Sequence, residues 1–263
     1  ITIRFFYRHQ ATQQKSSVDN QDENQATETT KAIILVPTYN ERENIELLIP
    51  ALLEQPAEFD IMVVDDSSPD GTGKLADELA EKHDRVHVLH RPPKGGLGKA
   101  ILGGIGHVLD KSYDYIMTMD ADFSHDPKYV PAMLEGMQTH DLMIGSRYVP
   151  GGGTENWGFK RKLNSWAANF ITRAVLWIPA KDCSAGFKCY RADILRKMPL
   201  DKVISTGYAI QEELLYRYSK HTRDLGETPI IFKDRELGTS KMNLGEIIET
   251  LSLPDRVTAG VGG

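Results

Sequence analysis

From residue 32 onward, short apolar runs alternate with stretches of helical periodicity. The runs cover residues 32–36, 61–64, 86–89, 115–119 and 142–144. Between them, apolar positions at helical spacing predict helices over 43–53, 73–82, 97–109 and 127–137. Strands that are apolar at every position are buried on both faces. Their alternation with helices predicts an α/β domain with a mostly parallel, Rossmann-like sheet flanked by helices. In such sheets ligands gather at the carboxyl ends of the strands. Residues 10–31 are instead rich in Gln, Asn, Thr, Ser and Glu and hold little to bury. They predict a disordered tail over 1–31 ahead of a single domain over 32–263.

Polar motifs follow the predicted strands. The run at 32–36 leads into Pro37-Thr-Tyr39-Asn-Glu41, that at 61–64 into Asp65-Asp66-Ser-Ser-Pro-Asp70-Gly-Thr, and that at 115–119 into Asp120-Ala121-Asp122. Residues two apart in an extended segment point the same way. The carboxylates of Asp120 and Asp122 therefore repel unless a cation accompanies them, and such hard ligands suit Mg²⁺ or Mn²⁺ with diphosphate oxygens. A pair of solvated loop aspartates is the plainer alternative, weakened by the position straight after an apolar strand. Asp66 suits a nucleobase or ribose contact, whereas Asp66 or Ser68 could equally cap a helix. Lys94-Gly-Gly-Leu-Gly-Lys99 fails the phosphate-loop spacing at Pro93 and Ala100, and the dinucleotide fingerprint at Ile101. A basic loop that closes on a ligand and a simple start to a helix both remain open.

Charge and cysteine content narrow the class further. A net charge of -6 and a pI near 5.8 argue against non-specific nucleic-acid binding. Cys183 and Cys189 alone can build neither a disulfide framework nor a zinc site, and are read as reduced core thiols. No apolar run reaches the roughly 18 residues of a membrane span, so no transmembrane helix is expected. The segment 163–178 carries Trp166, Phe170, Val175 and Trp177 after the basic Lys160-Arg161-Lys162. It fits a core helix or a helix lying in a membrane interface.

Taken together, the motifs resemble the inverting family-2 glycosyltransferases of the GT-A fold, and more narrowly the dolichol- or polyprenol-phosphate mannose synthases. The resemblance runs over roughly residues 31–246. It rests on Val-Pro-Thr-Tyr-Asn-Glu-Arg-Glu-Asn from Val36, Val-Asp-Asp-Ser-Ser-Pro-Asp-Gly-Thr from Val64, and Met-Asp-Ala-Asp-Phe-Ser-His from Met119. Gly-Ser-Arg-Tyr from Gly145, Asn-Trp-Gly-Phe-Lys-Arg-Lys from Asn156 and Arg-Glu-Leu-Gly-Thr-Ser-Lys from Arg235 complete the set. The resemblance implies that Pro37, Tyr39, Glu41, Val64 and Asp66 hold the donor nucleoside. It sets Asp120, Ala121 and Asp122 against the donor diphosphate, with Asp120, Asp122 and Ser124 at a Mg²⁺ or Mn²⁺ site. It assigns the acceptor phosphate to Arg147, Arg161 and Ser165, which with Asp122 form the expected catalytic set, and has Arg235 and Lys241 close on the donor phosphates. Asp182-Cys-Ser-Ala-Gly-Phe departs from the family's Asp-Leu-Thr-Gly-Gly-Phe, a change expected to alter the acceptor entrance and leave donor chemistry untouched.

The expected reaction moves mannose from GDP-mannose onto a polyprenyl monophosphate. A phosphate monoester with a second pKa near 6 is already largely anionic at neutral pH, so no strong general base is required. The lipid acceptor favours the interfacial reading of 163–178. The expected location is peripheral, on the cytoplasmic face of a membrane, with a membrane-anchoring subunit as a further partner and no nucleic acid. UDP-glucose, or another UDP-sugar, is the alternative donor, and an inactive scaffold subunit the alternative class. A sugar-1-phosphate nucleotidyltransferase would need a glycine-rich signature near its first strand, which residues 37–41 lack.

Overall fold

A computed structural model describes residues 30–93 and 95–233. Its elements in chain order are β1 (Ala32–Thr38), α1 (Arg42–Leu53), β2 (Asp60–Asp65), α2 (Thr72–Lys82), β3 (Val86–His90), α3 (Gly96–Leu109) and β4 (Tyr115–Thr118). A 3-10 turn at Pro127–Tyr129 leads into α4 (Val130–Gly136), then β5 (Leu142–Ser146), β6 (Gly153–Thr154), α5 (Phe159–Leu176) and β7 (Lys188–Arg191). After α6 (Ala192–Leu195) and a 3-10 turn at Leu200–Lys202 come α7 (Ile210–Tyr218), β8 (Leu225–Pro229) and β9 (Ile231–Phe232).

The main sheet has seven strands in the order β3-β2-β1-β4-β7-β5-β8, and β6 pairs with β9 in a second sheet. Every pairing in the main sheet is parallel except those of β7, which runs antiparallel to β4 and β5. The apolar strands divide their side chains between two cores, as a period of two requires. Ile33, Leu35, Met62 and Val64 pack on one face with α3 and α7; Ile34, Val36, Ile61 and Val63 pack on the other with α1 and α4. The strands are buried on both faces, which is why they read as unbroken apolar runs.

Glycine lets α3 approach the sheet and its neighbouring loop. A Cβ at Gly104 would lie 3.0 Å from Val64 Cγ2 and 3.2 Å from Leu35 Cδ1. At Gly98 a Cβ would sit 2.5 Å from the Ser205 carbonyl oxygen, and the Gly98 N–H donates to the Thr206 carbonyl at 2.8 Å. The expected strands and helices all form. β6 to β9, α6 and α7 were not expected, because their residues are polar or too few to set a period.

Gly98→Ala forces a methyl group against backbone. It is expected to cost about 1–3 kcal/mol, read as a lowered urea midpoint. Gly106→Ala in the same helix, where a Cβ meets nothing within 4 Å, should stabilise by about 0.5–1 kcal/mol. Equal midpoints for the two variants would refute the packing argument.

Candidate active site

Adjacent parallel strands β2, β1 and β4 deliver three loops to the same sheet edge. Each loop contains a non-glycine residue with a left-handed backbone: Asn40 (φ 59°), Ser67 (φ 57°) and Phe123 (φ 58°). Such conformations persist where surrounding contacts fix them, and they cluster at functional sites. Here the contacts are carboxylates. Buried Asp65 accepts from Thr38 Oγ1 (3.2 Å), Ser68 Oγ (2.6 Å) and the Ser68 N–H (3.1 Å), and Ser68 Oγ in turn accepts the Asn40 N–H at 3.0 Å. Asp70 accepts from Thr72 and from the Arg42 N–H, so it, not Asp66 or Ser68, serves the start of α2.

Asp66 reaches further along the edge. Its oxygens accept the N–H groups of Gly95 (3.1 Å) and Gly96 (2.9 Å) and the Arg91 guanidinium (3.0 Å). The expected nucleoside residue thus anchors the start of α3. Pro37 and Val64 pair across β1 and β2, Tyr39 is exposed just beyond them, and Glu41 accepts from the Asn44 amide. These residues line one continuous edge. Arg235 and Lys241 lie outside the described residues, as do Lys94 and residues 1–29 of the tail expected over 1–31.

Beyond β4, Asp122 accepts from both the hydroxyl (2.6 Å) and the N–H (3.1 Å) of Ser124. Ala121 and Ser124 are buried. His125 stacks on Phe187 (5.3 Å) and meets Phe232 edge-on (5.4 Å), with Nδ1 3.4 Å from the Asp120 backbone nitrogen. Burial pushes its imidazole down to about 4, and the Asp122 charge only partly opposes this. Among the described residues no group of three or more His, Cys, Asp or Glu side chains could hold a metal ion. Asp120, Asp122 and Ser124, the residues expected at a divalent cation, follow β4 in one loop, where the Ser124 hydroxyl donates to Asp122.

Beyond β5 lies Arg147, its side chain only 8% exposed. Its Nε and Nη2 donate to Asp182 at 2.8 and 2.7 Å, its backbone N–H to the same carboxylate at 3.0 Å, and Nη2 also to Ser184 at 2.7 Å. Tyr148, Trp157 and Phe232 surround the guanidinium at 5.3, 5.8 and 5.4 Å. Arg161 lies 4.2 Å over the same Trp157 ring, and Ser165 shares a 2.8 Å hydrogen bond with the Tyr148 hydroxyl. The three residues expected at the acceptor phosphate are thereby gathered around Trp157 and Tyr148.

The loop that carries Asp182 is fixed from two directions. Asn169 of α5 accepts the Cys183 N–H at 2.8 Å and donates to the Lys181 carbonyl. Glu227 of β8 accepts the N–H groups of Lys181 (2.9 Å) and Asp182 (3.1 Å). Behind it, fully buried Lys188 donates to the carbonyls of Cys183, Ala185 and Gln211. Burial drives the Lys188 ammonium down and the nearby Glu212 carboxyl up, each group opposing the other's shift. Burial also raises both thiols, Cys183 to about 12, and both cysteines are free and inert.

The 182–187 segment touches both corners: Asp182 and Ser184 bond Arg147, and a Cβ at Gly186 would press on Asp120 at 3.2 Å. Asp182, Tyr148, Trp157 and Asn169 also belong to the site without having been assigned to it. Trp157 stood inside a quoted motif, but nothing in the sequence pairs Asp182 with a cation 35 residues away.

Comparison with known proteins identifies the family and the fold. The sequence model of glycosyl transferase family 2 matches residues 33–198. The undecaprenyl-phosphate mannosyltransferase of Micrococcus luteus is 44% identical over 84% of this chain and 91% of its own. The polyprenol monophosphomannose synthase of Mycolicibacterium smegmatis is 44% identical over 85% of each chain. Crystal structures of Mycobacterium tuberculosis glucosyl-3-phosphoglycerate synthase share the fold. One, with Mn²⁺, UDP and glucosyl-3-phosphoglycerate, has a TM-score of 0.60 at 17% identity, covering 89% of this chain and 80% of that one. Another, with Mn²⁺, UDP-glucose and phosphoglyceric acid, has a TM-score of 0.60 at 15% identity, covering 90% and 81%. The fold is the expected GT-A type, and the chain belongs to glycosyl transferase family 2. Within that family, the two relatives at 44% identity are both named for mannosyl transfer involving a polyprenyl phosphate.

Burial raises the Asp182 carboxyl, but the charge of Arg147 and their hydrogen bonds outweigh it and hold its pKa below the ordinary value. Asp182→Asn strands the Arg147 charge in the interior, at an expected cost of about 3–5 kcal/mol in urea unfolding. A depressed carboxyl stabilises above the unfolded pKa, about 3.9, and loses that contribution as pH falls through the folded value. The gap between wild type and variant should therefore be full at pH 7 and close in acid below about pH 4. A gap independent of pH would contradict the ion pair.

Proposed function

We propose that this chain is an inverting hexosyltransferase that moves mannose from GDP-mannose to a polyprenyl monophosphate at a membrane surface. The observation that carries this reading is the acceptor corner, where Arg147, Arg161, Ser165 and Tyr148 cluster about Trp157. Guanidinium matches phosphate geometry, and a corner built of cations and hydroxyls suits an anionic nucleophile. The names of the relatives at 44% identity point the same way.

An oxygen of the lipid phosphate attacks the anomeric carbon. The bond from that carbon to the diphosphate oxygen breaks, and GDP departs with the electron pair. The nucleophile is ionised already, so no proton has to be removed. Arg147 and Arg161 hold the phosphate in line, and fixed positioning replaces a general base. Asp120 and Asp122, with Ser124 beside them, would hold a Mg²⁺ or Mn²⁺ ion, which when bound neutralises charge on the leaving diphosphate. Pro37, Tyr39, Glu41, Val64 and Asp66 line the nucleoside edge, and Arg235 and Lys241 are assigned to the donor phosphates.

Helix α5 supplies the membrane contact. Phe159, Leu163, Trp166, Phe170 and Trp177 are exposed on or just after it, with Trp166 stacked on Phe170 at 5.6 Å. Asn169, Thr172 and Leu176 face inward. Lys160, Arg161 and Lys162 begin the helix, where cations meet lipid headgroups. No helix among the described residues is long and apolar enough to cross a membrane. On this reading the chain attaches peripherally, on the cytoplasmic face, with a membrane-anchoring subunit as a further partner.

Radiolabelled GDP-mannose and UDP-glucose should be tested in parallel with a short polyprenyl phosphate. Labelled lipid is expected from GDP-mannose alone, abolished by chelator and restored by Mg²⁺ or Mn²⁺. Label from UDP-glucose only would overturn the donor, and label from neither would overturn the acceptor. In flotation with anionic vesicles the protein should rise with the lipid. Replacing Trp166 and Phe170 together by alanine removes about 3 kcal/mol of buried apolar surface and should weaken the partition at least roughly tenfold. A wild-type protein that stays at the bottom of the gradient would refute the surface assignment.

A further inference from the structure

Trp157 lies just past β6, after a left-handed turn at Asn156 (φ 61°). Its ring packs edge-on against Phe232 of the partner strand β9, with centroids 5.7 Å apart. The Arg161 guanidinium sits 4.2 Å from the ring centroid and that of Arg147 5.8 Å away, both within the range of a cation–π contact. These contacts explain where the ring is. They leave its polar atom unexplained.

The indole Nε1 of Trp157 is buried and has no hydrogen-bond partner among the described residues. Buried indole N–H groups normally find an acceptor, because water has been surrendered and must be replaced. The cations over the ring cannot satisfy it, since a guanidinium, like an indole, only donates. The indole N–H therefore lacks one acceptor in a corner flanked by guanidiniums. An oxyanion corrects that shortage, and a phosphate monoester brings several lone-pair oxygens on one atom.

We propose that Trp157 is a substrate-binding residue whose indole N–H donates to an oxygen of the acceptor phosphate held by Arg147 and Arg161. This rests on the reading of that corner as the acceptor site, and adds to it a neutral donor. The arginines supply charge, which attracts any anion. The indole supplies one directional bond, which fixes how the phosphate is turned toward the sugar.

Trp157→Phe keeps an aromatic ring on Phe232 and beneath the guanidiniums, and removes the N–H together with the carbons of the five-membered ring. The KM for a short polyprenyl phosphate should rise roughly ten- to hundredfold, the span of a hydrogen bond to a charged group. The KM for GDP-mannose and the melting temperature should stay at wild-type values. In ¹⁵N-labelled wild-type protein, the indole resonance missing from Trp157→Phe should move downfield as polyprenyl phosphate is added, and stay fixed in Arg147→Ala. Loss of transfer in Arg147→Ala with an unchanged acceptor KM in Trp157→Phe and a static indole resonance would overturn the Trp157 assignment and leave the phosphate site standing. Full transfer by Arg147→Ala would overturn the phosphate site, and this assignment with it.

Discussion

One buried ion pair organises the functional half of this protein. Arg147 can sit deep among Tyr148, Trp157 and Phe232 only because Asp182, wholly buried, receives its backbone N–H and two atoms of its side chain. A charge taken out of water without such a partner would cost several kcal/mol. The pair is tethered at both ends. Arg147 follows β5 directly, and Asp182 is held through its neighbours by Asn169 and Glu227. Lys188 and Glu212 lie behind it, so the charges at the floor of the site form one electrostatic group.

The donor edge is built differently. There the carboxylates of Asp65, Asp66 and Asp70 receive backbone N–H groups and hydroxyls, and hold loops in conformations that the chain would not adopt unaided. Asp66 is instructive, because contact with a nucleoside and anchoring of a helix are compatible in one carboxylate with several lone pairs. A ligand meeting Asp66 would also meet the residue that fixes where α3 begins. Antiparallel β7 joins the two halves. Its approach brings Gly186 against Asp120 on one side, and Lys188 beneath the Asp182 loop on the other.

Much of the donor half was legible in the sequence. Its strands are buried on both faces, so they appear as apolar runs, and their polar ends announce the loops. The half proposed for the acceptor was marked in the sequence only by motif resemblance. β7 reads Lys-Cys-Tyr-Arg and β8 Leu-Gly-Glu-Thr-Pro, patterns with no apolar alternation to detect. Lys188 is a charge in the core, which no propensity argument would place in a central strand. The segment 163–178 was balanced between core and interface. It proves amphipathic, with Asn169 and Leu176 inward and Trp166 and Phe170 exposed, so the core reading described one face alone.

Asn169 gives that helix a second role. Arg161, Ser165 and Asn169 recur at every fourth position along α5, and the last of them clasps both flanks of Asp182. The same loop is held from β8 by Glu227, so the helix that presents aromatics to the outside is bonded, through the flanks of Asp182, to the sheet that carries the buried guanidinium.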